Sequence, residues 1–453
     1  VYLLWVIRQK FPFWFRHMCP SITSTVEAKV EAHMRNKFDA VLGQRTTDKE
    51  WAKACLPTKS HGCGLGNPKD TISAAFAANV EETKKHVQKI LPGTSIYMDM
   101  LHAPTDEFNA FDFPSQDMML FVRGFREHKE VVTSAAREMN ELQNLIDYDA
   151  KEDNRKTQHF YNVIITNYRV KIMEDLVKDH GDAIERASFL SNDGSFAGAY
   201  LYNLPRDKHS KILNSEFRAA LKLRLGIKFN TFIPKCCCRN QTKICPYGIH
   251  FFTCNDFKQF SLMRHDAIQY DLKQLGLQGA ISVIDSGLGR LLEHDGSKGD
   301  LLFKGQGDNG RDLMIDISIG CATAPSYLNH SSHISKYTLD LLEFNKFTKY
   351  QQAYRNVGID FKPMTFEMHG QTSDLFIKFF KKLVRAASDV NGIPYSVMFN
   401  YWKIRISTTM QKYNAKIIHM SQNKIARVTR MLRNGDADLN DIITDQRHVH
   451  NFM

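Results

Sequence analysis

The chain has 453 residues, of which 43% are hydrophobic, 24% are charged and 9 are cysteines. A chain of this size can bury several domain cores, which excludes both a disordered polypeptide and a disulfide-stapled mini-protein. Its 60 Lys and Arg against 49 Asp and Glu leave a formal charge of +11, an excess that favours an anionic partner and is silent on fold.

Residues 1–185 read as a helical region. The opening VYLLWVIRQKFPFWF is apolar, but Arg8, Gln9 and Lys10 interrupt it, so it is too short to span a bilayer. It begins at Val1, as expected of a piece of a longer or processed product. Apolar residues recur at three- and four-residue spacing in ITSTVEAKVEAHMRNKFDAVL and in DTISAAFAANVEETKKHVQKIL, which predicts two helices. Gly62, Gly64, Gly66 and Pro68 break the chain between them. Residues 98–128 are acidic and carry Pro104 and Pro114, and they read as irregular. Two further helices are expected around 129–145 and 153–177.

Residues 186–257 hold one helix and a cysteine cluster. Asn214 or Ser215 can cap the helix, and Gly226 can end it. The segment KCCCRNQTKICPYGIHFFTC then gathers five of the nine cysteines. An odd cysteine total with one dense group points to a reducing, intracellular setting and a metal site. Zinc takes four soft or borderline ligands in a tetrahedron, usually as two close pairs. His250 and Cys254 form one pair. Cys236 with Cys238 is the preferred second pair, and Cys238 with Cys245 is the alternative. Such a zinc is structural.

Residues 258–372 change character to mixed α and β. A helix (258–275) precedes the strand-like runs GAISVID, RLLEH, GDLLF and DLMIDISIG, then a helix (333–356) and the strand PMTFEM at 363–368. GDLLFKGQGDNGRDLMIDISIG has a hairpin pattern with a glycine-rich turn. A hairpin symmetric about Asp308 sets Asp300 opposite Asp316 on a half-buried sheet. Leu313, Ile315, Ile317 and Ile319 then share the apolar face, and Asp316 and Ser318 share the other. Facing carboxylates repel unless one is protonated or a hard cation lies between them. Glu293 could add a third oxygen ligand. Lys346, Lys349 and Tyr350 fall at i, i+3 and i+4 on the next helix and bring a lysine to the sheet's polar edge. Two acids, magnesium and a lysine make a phosphodiester-hydrolysis site.

Residues 373–453 read as a helical, basic tail. From Val397 to Gly435 there is no acid, while Lys403, Arg405, Lys412, Lys416, Lys424, Arg427, Arg430 and Arg433 supply most of the net charge. Tyr401, Trp402 and Tyr413 are interleaved, a composition suited to phosphate contact with some base stacking.

The order helix, strands, helix, strand, with acids on the hairpin, resembles the PD-(D/E)xK restriction-like endonuclease fold. In that resemblance Asp300 is the first acid, Asp316 in IDIS is the second, and Ser318 stands where the lysine usually is. Lys346 or Lys349 on the following helix would replace it. The wider order AGAYLYNLP, EFRAALKLRLGI, the knuckle ending GIHFFTC and then RHDAI resembles the C-terminal part of non-LTR retrotransposon polyproteins. LPTKSHGCGLGNPKDTISAAFAANV is similar to the helical region that follows the polymerase there, with Cys63 in place of one glycine. Reverse transcriptases carry a Tyr-x-Asp-Asp turn, and Tyr97-Met98-Asp99-Met100 lacks its second Asp, so the polymerase palm is absent.

The expected fold class is therefore α+β and multi-domain. A helical N-terminal region leads to a small zinc knuckle, then an α/β PD-(D/E)xK-like nuclease core with a helical basic tail. The resemblance implies an intracellular, nuclear, magnesium-dependent DNA endonuclease of a truncated retroelement, nicking target DNA for target-primed reverse transcription. DNA or element RNA is its partner, and neither a membrane nor a small-molecule cofactor is required. A catalytically decayed zinc-knuckle nucleic-acid-binding module is the competing expectation. A zinc-stabilised interaction protein unrelated to nucleic acid is a third.

Overall fold

A computed structural model describes residues 20–90, 116–149, 156–205, 210–229, 235–285 and 299–434. The apolar N-terminal stretch, Tyr97–Met100, the expected strand RLLEH with Glu293, and the last residues of the tail lie outside the described residues. Two compact units divide the chain. One comprises residues up to Pro57 and from Gly62 to Asp179, and the other comprises Thr58–His61 and everything from His180 onward.

The described part of the first unit is helical: α1 (Pro20–Leu42), α2 (Asp48–Cys55), α3 (Pro68–Ile90), α4 (Gln116–Glu138), α5 (Leu142–Asp149) and α6 (Thr157–His180). Thr47 starts α2 through a reciprocal cap: its hydroxyl accepts from the Glu50 amide at 3.2 Å, and the Glu50 carboxylate accepts from the Thr47 amide at 2.7 Å. Ala74, Phe76, Ala77, Val122, Phe125, Val132, Tyr161, Ile164 and Ile165 close the core between α3, α4 and α6. Inside it, Lys129 Nζ donates to Asp149 Oδ2 at 2.6 Å and lies 3.4 Å from Glu81 Oε1, so the buried charges are paired. One expectation is corrected here. Residues 116–128, read as irregular from their acids and prolines, form the first half of α4, because Phe121, Val122 and Phe125 pack against the α3 face.

The second unit is α+β. It runs through α7 (Ala183–Ser191), α8 (Asn214–Leu225), the short α9 (His250–Thr253), α10 (Lys258–Gln278), β1 (Val283–Asp285), β2 (Leu301–Phe303), β3 (Leu313–Gly320), α11 (Pro325–Ser331), α12 (Tyr337–Asn356), β4 (Asp360–Glu367), α13 (Asp374–Asn391) and α14 (Tyr395–Asn434). Gly226 ends α8 at φ 69°, a left-handed conformation that glycine adopts without a Cβ clash. Neither Asn214 nor Ser215 caps this helix: it already includes both and starts after Leu213, whose amide donates to the Glu216 carboxylate at 2.9 Å.

The four strands lie in the order β1-β2-β3-β4. The first three form an antiparallel meander, and β4 joins β3 in parallel after crossing over through α12. Leu301 pairs with Ile315, Leu302 with Met314 and Phe303 with Leu313, a register symmetric about position 308. Leu301, Phe303, Leu313, Ile315 and Ile317 point into a core shared with Ile268, Leu272 and Leu275 of α10, with Phe376, Phe380 and Leu383 of α13, and with Met398, Trp402 and Ile406 of α14.

The sheet is not half-buried as its alternation suggests. Its second face is covered too, where Tyr350 and Tyr354 of α12 pack on Leu302, Met314 and Phe361. A parallel crossover helix covers the face that a simple hairpin would expose. The tail is helical in its described part. Its 40-residue helix α14 spans about 60 Å. Its first half lines the sheet core, and Ile417, Ile418, Ile425 and Val428 pack on the cysteine segment.

Candidate functional site

Two groups of chemically capable side chains stand in the second unit. The first is the cysteine–histidine knuckle. An antiparallel bridge between Lys235 and Lys243 folds the cysteine run into a tight turn, held by the Cys236 amide donating to Thr242 O at 2.9 Å and the Gln241 amide to Cys238 O at 2.8 Å. The turn brings the sulfurs of Cys236 and Cys238 to His250 and Cys254 on either end of α9. Cys236 Sγ lies 3.9 Å from Cys254 Sγ, and Cys238 Sγ lies 3.6 Å from His250 Nε2. All four ligand atoms fall within 4.8 Å of one another.

A zinc tetrahedron with Zn–S near 2.3 Å and Zn–N near 2.05 Å has S···S edges of about 3.8 Å and S···N edges of about 3.6 Å. The Cys236–Cys254 and Cys238–His250 separations match those edges and the whole group is within 4.8 Å, so three thiols and an imidazole here can hold a metal ion such as zinc. Cys245 is not in the group. Its sulfur accepts from the Ile249 amide at 3.4 Å, at the start of α9. The hydrogen bond to Cys237 and then burial push Cys236 up to about 12, against the opposing pull of Cys254, while at Cys238 burial is outweighed by bonds with Thr242, which lower it. Cys254 is raised by its bond with Cys236 and by burial.

The second group lies at the opening of β2. The pairing with β3 starts at Leu301 with Ile315, and just before it the Asp300 amide donates to Ile315 O at 2.8 Å, next to Asp316 in the chain. β2 itself begins at Leu301, and the Asp300 carboxylate leaves the ladder to accept from the Ile317 amide on β3, at 2.5 Å to Oδ2. The same oxygen accepts from His265 Nε2 of α10 at 3.0 Å, and His265 Nδ1 faces Asp266 Oδ1 at 3.2 Å. Gln269, one turn on, donates to the Asp300 carbonyl at 3.1 Å.

The Asp316 side chain is only 6% exposed and pairs with Lys346 Nζ of α12 at 2.7 Å. Ser318 Oγ donates to the same Asp316 oxygen at 3.4 Å. Burial raises the Asp316 pKa above the ordinary carboxylate value and the Asp300 charge adds to the rise, while Lys346 pulls it back. Burial alone would lower the His265 pKa, but Asp300 and then Asp266 outweigh it and push it up to about 9.

Of the two lysines left open by the sequence, Lys346 reaches the acid, and Lys349 is exposed with its ammonium 4.8 Å from the Tyr350 ring centroid. Glu293 lies outside the described residues. Sequence reading missed His265, Gln269 and Tyr354. The Tyr354 hydroxyl accepts from the Gly299 amide at 2.7 Å and anchors the residue before Asp300. The His265–Asp300 contact joins positions 35 apart in sequence, so no local spacing reveals it.

The cations of α14 are largely occupied. Lys403 is half-buried against the Phe399 ring, and Arg405 Nε pairs with Asp271 Oδ1 at 2.8 Å. Lys416 stacks on Tyr413, Lys424 Nζ donates to Asp256 O at 3.1 Å, and Lys412 is half-buried. Arg427, Arg430 and Arg433 are exposed. Trp402, read as a stacking platform, is 2% exposed and donates to Gln278 Oε1 at 2.8 Å, so it is a core residue. Among the described residues, no helix is long and apolar enough to cross a membrane. No protein-family profile matches the chain, and no curated protein is similar to it.

Proposed function

We propose that the second unit is a magnesium-dependent DNA endonuclease of the PD-(D/E)xK restriction-like kind, belonging to a non-LTR retroelement and acting on nuclear target DNA. The observation that carries this reading is that Asp300, just before β2, accepts from the amide of Ile317 beside Asp316 on β3, with Lys346 of the crossover helix 2.7 Å from Asp316. The donor set suits a hard cation. Two carboxylates supply oxygen ligands, and burial together with the Asp300 charge disfavours ionised Asp316 against the pull of Lys346 and His265, a cost that a hard cation would relieve.

Magnesium bound there would supply Lewis acidity at the scissile phosphate and a more acidic water. Asp300 and Asp316 would hold it. Lys346, freed in part from Asp316 by the cation, would steady the charge that develops on the phosphate. Hydrolysis would leave a 3′ hydroxyl able to prime reverse transcription. Lys346 in this reading takes the place of the lysine that Ser318 lacks.

The zinc that the knuckle can hold is structural in this proposal. It would fix the cysteine turn and α9 against Ile417, Ile418 and Ile425, and so fix the far half of α14. Arg427, Arg430 and Arg433 then remain for phosphates. The test is nicking of supercoiled plasmid with magnesium by zinc-loaded wild type and Asp316→Ala; equal nicking by both would sink the assignment.

A second reading is a nucleic-acid-binding module without catalysis, favoured by Ser318 at the lysine position and by Lys346 being engaged with Asp316. Salt-sensitive DNA binding with no cleavage under any divalent metal would select it.

A further inference from the structure

We propose that His265 is the positioning residue of this centre: it and the Ile317 amide together hold Asp300 by one carboxylate oxygen and leave the other, Oδ1, to a divalent cation. The inference rests on the nuclease reading for the cation's role, but on the structure's own contacts for the geometry.

Asp300 sits at the mouth of β2, before the first paired residue, so the ladder does not fix its side chain. Two donors do that work. The Ile317 amide donates to Oδ2 from β3 at 2.5 Å, and His265 Nε2 donates to the same Oδ2 from α10 at 3.0 Å. Both choose one oxygen, which sets the carboxylate's rotation about its bond to Cβ.

His265 is itself placed by its helix and by one further contact. It lies one turn before Ile268, whose side chain is wholly buried in the sheet core. Its other ring nitrogen, Nδ1, is 3.2 Å from Asp266 Oδ1. Its i+4 neighbour Gln269 takes the Asp300 carbonyl at 3.1 Å, so one helix face grips both the backbone and the side chain of the same acid. The side chains of His265 and Asp300 are 23% and 17% exposed, which leaves an approach for an ion while damping other rotamers. An imidazole that fixes a ligating carboxylate from behind is an outer-shell partner, and loss of such a partner typically weakens metal affinity 10–100-fold.

The experiment titrates Mn²⁺ into the full-length, zinc-loaded protein by calorimetry, and follows plasmid nicking and melting temperature in parallel. Wild type is compared with His265→Ala, His265→Gln and Asp316→Ala. The expected result has four parts. Wild type binds Mn²⁺. Asp316→Ala abolishes that binding and so locates the site. His265→Ala weakens it at least tenfold. His265→Gln, which keeps an N–H donor, stays within about threefold of wild type.

Binding by His265→Ala equal to wild type overturns the inference. So does equal weakening in His265→Ala and His265→Gln accompanied by a shared fall in melting temperature, since that is the behaviour of a purely structural residue. Asp316-dependent Mn²⁺ binding without nicking retires the nuclease reading and leaves His265 to be judged by the same affinities. No Asp316-dependent binding at all overturns both.

Discussion

Glu367, at the end of β4, makes the protein's stability depend on pH in a direction opposite to that of most acids. The residue is 2% exposed and lies against the hydroxyls of Ser191 and Thr338, opposite Gly320 of β3. Burial pushes its carboxyl from 4.5 up to about 7, with Asp340 adding to the rise and the two hydroxyls opposing it. Between pH 4.5 and 7 the folded protein therefore holds a proton that the unfolded chain has released. Stability from this group is complete below pH 4.5 and is lost as the pH rises through 7. The shift corresponds to about 3 kcal/mol at 1.36 kcal/mol per pH unit. For a unit of this size that is a fall in melting temperature of several degrees, at about 2–4 °C per kcal/mol. Glu367→Gln keeps the shape and removes the charge. Melting curves of wild type and variant at pH 5, 6, 7 and 8 should lie closest at pH 5, diverge up to about pH 7 and level off by pH 8, with the variant the more stable there. Parallel profiles across the range would refute the reasoning, because they would mean that Glu367 is hydrated or paired when ionised.

Four further outcomes follow from the same geometry. Cys254→Ser should lower zinc content from one ion per chain toward none by atomic absorption, and should expose the 235–257 segment to proteolysis, whereas Cys245→Ser should keep its zinc. Lys346→Ala should lose nicking activity by about a hundredfold or more, while Lys349→Ala, at an ammonium that rests on the Tyr350 ring, should stay within a fewfold of wild type. Gly299→Ala should cost about 1–3 kcal/mol in urea unfolding, because a Cβ there would meet Met314 Cγ and Sδ at 2.4 Å. Replacing Arg427, Arg430 and Arg433 together by alanine should reduce the salt slope of duplex DNA binding by about 0.9 for each phosphate no longer neutralised, and an unchanged slope would remove the tail's exposed end from the interface.

Much of the second unit was legible because its constraints are local. The β2–β3 register follows from two acids equidistant from a glycine-rich turn, and the observed pairing of Leu301 with Ile315 has that symmetry. The four converging ligands were legible because close pairs in sequence become close pairs in a turn and a short helix. What stayed hidden is set by tertiary packing. The strand alternation of LMIDISIG reads as one wet face, but α12 crosses over it and seals that face with Tyr350 and Tyr354. The basic tail reads as a solvated face because its cations are easy to count, while the spacing of Trp402, Ile406, Met410, Ile417, Ile418 and Ile425 marks a buried stripe along the same helix. The acids and prolines before residue 116 drew the irregular reading too far and obscured the start of α4. His265 had no local cue, since its partner Asp300 lies 35 positions further along the chain.

The most direct test of the central claim is single-strand nicking of supercoiled plasmid by the zinc-loaded protein as magnesium is varied, with Asp300→Asn and Asp316→Asn as controls. The account predicts magnesium-dependent conversion to open circles by wild type and a loss of about a hundredfold or more in each variant. Open circles formed equally by wild type and both variants, or by none of the three at any magnesium concentration while all bind DNA alike, would contradict it.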